Sequence, residues 1–175
     1  VGDAGSLDSD LQGRNRAERC MGTPPAGRLL RMGPSAGPIN MGIDEALATL
    51  CGDGATLRFY AWEAPTLSIG YSQRSSDIDW AACRTSTVHL VRRPTGGRAV
   101  LHQQDLTYSL ILPLRPPWTK ISIVESYRQI NVCLLRGLET LGLNVRMGRR
   151  PRQVIGAPSP FCFPASSQYE VLVGR

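Results

Sequence analysis

The chain has 175 residues, 42% of them hydrophobic, and a formal charge of +6, which is room for one ordinary domain with a substantial core. That composition excludes a generically disordered chain. No apolar run approaches the ~18–20 residues of a membrane span, and the N-terminus carries no apolar core of the secretory-leader kind.

The positive charge by itself suits an anionic partner. Its distribution weakens the case for nucleic acid. Of 20 basic residues one, Lys120, is lysine and the rest are arginine. They are spread along the chain, clustering only at Arg92–Arg93 and Arg149–Arg150–Pro151–Arg152, without the interleaved aromatics of a nucleic-acid surface. A nucleic-acid binder would also lose affinity steeply with salt. The five cysteines, Cys20, Cys51, Cys83, Cys133 and Cys162, form no CxxC pair, and only His89 and His102 offer imidazole. A zinc site is therefore not expected. The odd cysteine count argues against a disulfide framework and for a reducing, cytoplasmic setting.

Residues 1–27 mix Gly, Asp, Ser, Arg and Pro without apolar periodicity and read as a disordered arm. Leu29 to Met32 reads as a first strand, closed by Gly33-Pro34. Asn40 is placed to cap a helix whose apolar face is Ile43, Ala46, Leu47 and Leu50. Thr56 to Trp62 alternates as a half-buried strand, and Thr66 to Tyr71 is a second strand after Pro65. Ile78 to Cys83 reads as a short helix. Val88 to Arg93, Ala99 to His102 and Leu106 to Leu112 read as strands.

Pro113 to Trp118 is a proline-rich connection. Ser122 and Glu125 form a capping-box pattern opening the longest helix, which carries Ile130, Leu134, Leu138 and Leu141 on one face before Gly142. Asn144 to Met147 and Tyr169 to Val173 are further strands, with a loop from Arg149 to Pro160. Strands outnumber helices and most are close enough for hairpins. The fold class expected is α+β with a largely antiparallel or mixed sheet, the domain running over 28–175.

The stretch Arg92-Arg93-Pro94-Thr95-Gly96-Gly97-Arg98-Ala99-Val100-Leu101-His102 carries the most chemical information. Paired glycines let backbone approach a ligand, and successive amides can face an anion or carbonyl. The bland alternative is a glycine-rich hairpin with solvated arginines. Neither GxxxxGK[ST] nor GxGxxG is present.

This stretch resembles the ligand loop of the biotin/lipoate protein ligase superfamily, in its lipoate-ligase and octanoyltransferase branch. Asn40-Met41-Gly42-Ile43-Asp44-Glu45-Ala46-Leu47, Arg58-Phe59-Tyr60-Ala61-Trp62, Pro65 to Gln73 and Leu106-Thr107-Tyr108-Ser109 resemble further motifs of that family, in the same order. The resemblance implies the fold of those catalytic domains. It also implies that Arg93, Thr95, Gly96, Gly97, Arg98, Ala99 and His102 bind the acyl substrate, with the Gly96 and Gly97 amides facing an oxyanion. Gly97→Val is then expected to block acyl binding and leave the fold intact.

Pro160-Phe161-Cys162-Phe163-Pro164 through Glu170 resembles the cysteine segment of the LipM-type, cysteine-dependent octanoyltransferases. The implied nucleophile is Cys162, which would carry the acyl group as a thioester. Taken alone, Cys162 also suits a small buried hydrophobe. The branch implies octanoyl-acyl carrier protein as donor, and lipoyl domains of 2-oxoacid dehydrogenase E2 subunits or the glycine-cleavage H protein as acceptor. It implies no cofactor, no metal, no nucleic acid and no membrane.

An ATP-dependent lipoate–protein ligase, needing ATP and Mg²⁺, is the rival enzyme, with a lipoyl-domain amidotransferase beside it. An inactive acyl- or lipoyl-domain-binding fragment is the rival of another class. One departure stands out. The family's lysine, expected shortly after the Tyr169-Glu170 strand, has no counterpart before Arg175. The chain is accordingly expected to be the N-terminal part of the enzyme, a poor catalyst with an uncovered strand edge.

Overall fold

A computed structural model describes residues 27–148 and 170–173. Residues 1–26, 149–169 and 174–175 lie outside the described residues, and with them most of the expected arm, the expected Arg149 to Pro160 loop and Cys162.

Strand β1 (Arg28–Ser35) leads into helix α1 (Gly37–Thr49) and strand β2 (Thr56–Trp62). Strand β3 (Thr66–Ile69), helix α2 (Trp80–Thr85) and strand β4 (His89–Arg92) follow. Then come β5 (Val100–His102), β6 (Thr107–Ile111), the long helix α3 (Ile123–Thr140), β7 (Val145–Met147) and β8 (Val171–Val173). Three sheets result, in the orders β1-β2-β6, β4-β3-β5 and β7-β8.

The class is α+β with mixed sheets. The hairpin expectation holds only in part. β1–β2 and β3–β4 are parallel, whereas β2–β6, β3–β5 and β7–β8 are antiparallel. Parallel neighbours need a crossover, and α1 and α2 supply one each.

α1 departs from its sequence reading in two ways. It starts three residues before Asn40, with Ala36 as the extended cap. Pro38 explains this, because proline's fixed φ and missing N–H suit a first turn. Asn40 is instead fully buried inside the helix, and its amide donates to the carbonyls of Ser35 and Ala61 at 3.1 and 2.9 Å. It ties the end of β1 to the end of β2. The buried face is also not the apolar one. Gly37, Asn40, Met41 and Asp44 are buried, while Leu50 is 77% exposed.

The cause lies on β2. Thr56, Arg58 and Tyr60 form its buried face, and Arg58 is fully buried. An arginine there must be neutralised and fully hydrogen-bonded. Its guanidinium donates to Asp44 Oδ1 and Asn40 Oδ1, both at 2.7 Å, and to the Asn40 carbonyl at 3.2 Å. Tyr60 and Ser109 hydroxyls donate to the same Asp44 carboxylate at 3.1 and 2.7 Å. Burial first, and then the Asp44 charge, push the Tyr60 phenol well above its ordinary range. The network joins α1, β2 and β6.

The apolar core lies under the second sheet: Leu67, Ile69, Ile78 and Ala99, with Cys83, Val88 and Leu90 packed against it. α2 starts at Trp80, two residues later than expected, because Asp79 caps it by accepting from the Ala82 N–H at 2.9 Å. α3 opens as expected, with Ser122 Oγ accepting from the Glu125 N–H at 3.1 Å. The Glu125 carboxylate turns along the helix instead of back to the cap. It accepts from Arg128 at 2.6 and 2.8 Å and from Gln129 at 3.0 Å. Those bonds hold its pKa down to about 2. Among the described residues no helix is long and apolar enough to cross a membrane.

Candidate functional site

The Gly-rich loop connects β4 to β5 and folds against the end of β3. Gly70, the residue after β3, makes this packing possible. A Cβ there would lie 1.9 Å from the Gly97 carbonyl oxygen, so only glycine fits. Gly97 has φ +93, and a Cβ on it would meet Arg93 at 2.8 Å. Gly97→Val is therefore a strained substitution, a local cost that the expectation of an undisturbed fold left out. Gly96 differs. It is exposed, and nothing lies within 4 Å of where its Cβ would stand.

The two arginines before the loop, Arg92 exposed and Arg93 half-buried, are both hydrogen-bonded to backbone carbonyls. Arg92 donates to the carbonyls of Gly70, Tyr71 and Gln73 at 2.7, 2.9 and 2.8 Å. Arg93 donates to the Ser68 carbonyl at 2.9 Å, to Ser68 Oγ at 3.2 Å, and to the carbonyls of Gly96 and Arg98, both at 2.7 Å. Arg93 thus grips the loop from one side. A peptide is planar and trans, so the N–H after each gripped carbonyl points the opposite way. The Gly97 and Ala99 amides therefore face away from the Arg93 guanidinium. Thr95 contributes its carbonyl, which accepts from the Tyr71 N–H at 2.9 Å. Arg98 is exposed at the tip, whereas the Ala99 side chain is fully buried in the core.

His102, on β5, is 8% exposed. Its Nε2 lies 2.9 Å from Ser68 Oγ and its Nδ1 2.9 Å from Asp105 Oδ2. Its ring stacks on Trp62, with centroids 4.1 Å apart and planes at 17°. Gln104, at φ +59, turns the chain so that Asp105 comes back onto His102. Thr107 Oγ1 donates to the same Asp105 oxygen at 2.9 Å and accepts from the Trp62 indole at 2.8 Å. Burial pushes the Asp105 pKa up, but the hydrogen bonds from His102 and Thr107 outweigh it and leave a net lowering.

The structure thus brings Arg93, Thr95, Gly96, Gly97, Arg98 and His102 to one loop and its support. Ala99 reaches that loop through its backbone. Cys162 lies outside the described residues. Sequence reasoning missed Ser68, Asp105, Trp62 and Thr107. The available signals were an acid three residues after a histidine and a serine in the middle of a buried strand. Cys51 and Cys83 are half-buried and Cys133 is exposed, all as free thiols. Among the described residues no cluster of three His, Cys, Asp or Glu could hold a metal ion.

The family described as the lipoyl protein ligase A/B catalytic domain matches residues 37–160. The chain belongs to that family. It is 44% identical over 154 residues to an octanoyltransferase LipM of Kyrpidia tusciae, spanning 83% of this chain and 56% of that relative. It is 41% identical over 157 residues to the octanoyltransferase LipM of Symbiobacterium thermophilum, again 56% of the relative. The chain therefore spans about half the length of the curated relatives it matches. Among solved structures, a T. acidophilum protein described as a lipoate protein ligase, with bound lipoic acid, aligns at TM-score 0.62 and 29% identity. That match covers 76% of this chain and 55% of the other. A lipoate-protein ligase A bound with ATP aligns at TM-score 0.63 and 29% identity, over 77% of this chain and 53% of its own.

Proposed function

We propose that this chain is part of an octanoyltransferase of protein lipoylation that works through a Cys162 thioester. The observation that carries the reading is the Gly96–Gly97 loop. The Gly96 and Arg98 carbonyls are drawn to Arg93, the Gly97 amide faces the other way, and Gly96 is exposed. Such a surface suits the carbonyl end of an acyl chain. The identity to proteins named octanoyltransferase LipM favours acyl transfer over other uses of the loop.

In this reading the Cys162 thiolate attacks the carbonyl carbon of octanoyl-acyl carrier protein. The oxyanion that forms is held by the Gly97 amide. The C–S bond to the carrier breaks, and the carrier thiolate leaves and takes up a proton. The ε-amine of a lysine on a lipoyl domain, or on the glycine-cleavage H protein, then attacks the acyl-enzyme. An amide forms, the amine loses a proton, and the Cys162 thiolate departs. Acyl activation is already present in the thioester, so neither ATP nor a metal enters. The cytoplasm is the setting in which such a thiol stays reduced.

The test is intact-mass spectrometry, after incubation with octanoyl-acyl carrier protein, of this chain extended to the full length of the relatives it matches. One hydroxylamine-labile octanoyl group is expected on the parent and none on Cys162→Ser. A parent that gains no such group, or a serine variant that still gains one, refutes the thioester reading. The solved neighbour bound with ATP favours a ligase as the second reading. That reading requires acylation from free octanoate or lipoate that depends on ATP and Mg²⁺.

A further inference from the structure

We infer that Asp105, His102 and Ser68 form a hydrogen-bond relay that positions Arg93, and through it the Gly96–Arg98 backbone with the Gly97 amide that faces the acyl carbonyl. The amide role rests on the octanoyltransferase reading above; the relay itself does not.

Chemistry fixes the direction of each bond. The Trp62 indole can only donate, so Thr107 Oγ1 accepts from it and spends its own hydrogen on Asp105. Asp105, an ionised carboxylate, can only accept. It therefore takes its second bond from a proton on His102 Nδ1. In neutral imidazole this leaves Nε2 as an acceptor. Ser68 is 1% exposed, and its hydroxyl donates to that nitrogen. Ser68 Oγ is then left to accept from Arg93, a donor in every state.

Every step from the indole to the guanidinium is matched only when the imidazole proton is on Nδ1. With the proton on Nε2, His102 and Arg93 would both donate to Ser68 Oγ. The Ser68 hydrogen would then lose its acceptor in a buried site, and the His102 Nδ1 lone pair would face a carboxylate. Arg93 is the piece the loop feels, because its guanidinium holds the Gly96 and Arg98 carbonyls. Ser68 Oγ and the Ser68 carbonyl both anchor it. Asp105 and Ser68 are thus positioning residues. Ser68 is too buried to serve as a nucleophile, although Ser68, His102 and Asp105 are spaced as a Ser-His-Asp set.

The test is ¹⁵N NMR of the His102 imidazole, with hydrogen exchange at the Tyr71 amide, in the parent, Asp105→Asn and Thr107→Val chains. The Tyr71 amide is bonded to the Thr95 carbonyl, so it reports the loop's seat on β3. The parent should carry the proton on Nδ1. Asp105→Asn should lose that preference and exchange the Tyr71 amide about tenfold faster, the scale of one lost hydrogen bond. Thr107→Val, which removes one donor to Asp105 at nearly constant volume, should move both readouts the same way and less far. It stands in if Asp105→Asn does not fold. Single-turnover acylation from octanoyl-acyl carrier protein should slow about tenfold in Asp105→Asn at unchanged half-saturation. A parent with the proton on Nε2 overturns the relay. So does a variant that changes tautomer yet keeps parental Tyr71 exchange. A parent with the Nδ1 proton that does not acylate even when extended to the full length of its relatives refutes the octanoyltransferase reading and leaves the relay to the other two measurements.

Discussion

Replacing Arg58 by methionine isolates the ion network that orients α1. The change keeps most of the side-chain length and removes the guanidinium. Asp44 Oδ1 then loses a charged donor at 2.7 Å and retains only Ser109, while Asn40 Oδ1 loses its donor at 2.7 Å. Arg58 is fully buried and the Asp44 side chain is 11% exposed, so little solvent can compensate. Breaking a buried pair from one side costs about 3–5 kcal/mol. At roughly 2–4 °C per kcal/mol for a chain of this size, melting should fall by about 6–20 °C.

Asp44→Leu should cost a similar amount, because it leaves the guanidinium unpaired. The double variant should cost far less than the sum, since no buried charge then remains. Urea unfolding followed by circular dichroism gives each free energy from its midpoint. Two costs that simply add, or an Arg58→Met change below about 1 kcal/mol, would refute the claim that this pair is buried and coupled.

Gly70→Ala and Gly96→Ala should separate packing from ligand approach. The first places a methyl 1.9 Å from the Gly97 carbonyl and should destabilise by about 1–3 kcal/mol or more. The second meets nothing and should melt like the parent while octanoyl transfer falls; equal melting of the two variants would refute the close approach. The Glu125 carboxyl should titrate near 2 rather than at the usual 4.5. Because its folded value is depressed, its contribution is present above about 4.5 and is lost as pH falls toward 2. A carboxyl ¹³C titration with a midpoint near 4.5 would remove the Arg128 and Gln129 bonds from solution.

Local rules in the sequence sufficed wherever a residue acts on its immediate neighbours. Ser122 caps α3, β2 follows its alternation, and the Thr95-Gly96-Gly97 turn marks a loop between β4 and β5. The same rules ranked the α1 face incorrectly. Periodicity weighs Ile43, Ala46, Leu47 and Leu50 by their own apolarity, whereas burial of Asn40 and Asp44 depends on an arginine on another strand. Hairpin-length spacings likewise could not reveal that β1–β2 and β3–β4 run parallel, because helices carry the chain back between them.

The candidate site divides in the same way. Gly96, Gly97, Arg93 and His102 were legible in one unbroken stretch. Only the tertiary structure turned Arg93 from a charge offered to solvent into a clamp on carbonyls. It also placed Ser68 and Asp105 on either side of His102. Ser68 is 34 residues from His102 in the chain. No local pattern encodes that distance. It is set by the antiparallel pairing of β3 with β5, which puts Ser68 beside Val100 and the histidine within hydrogen-bond reach.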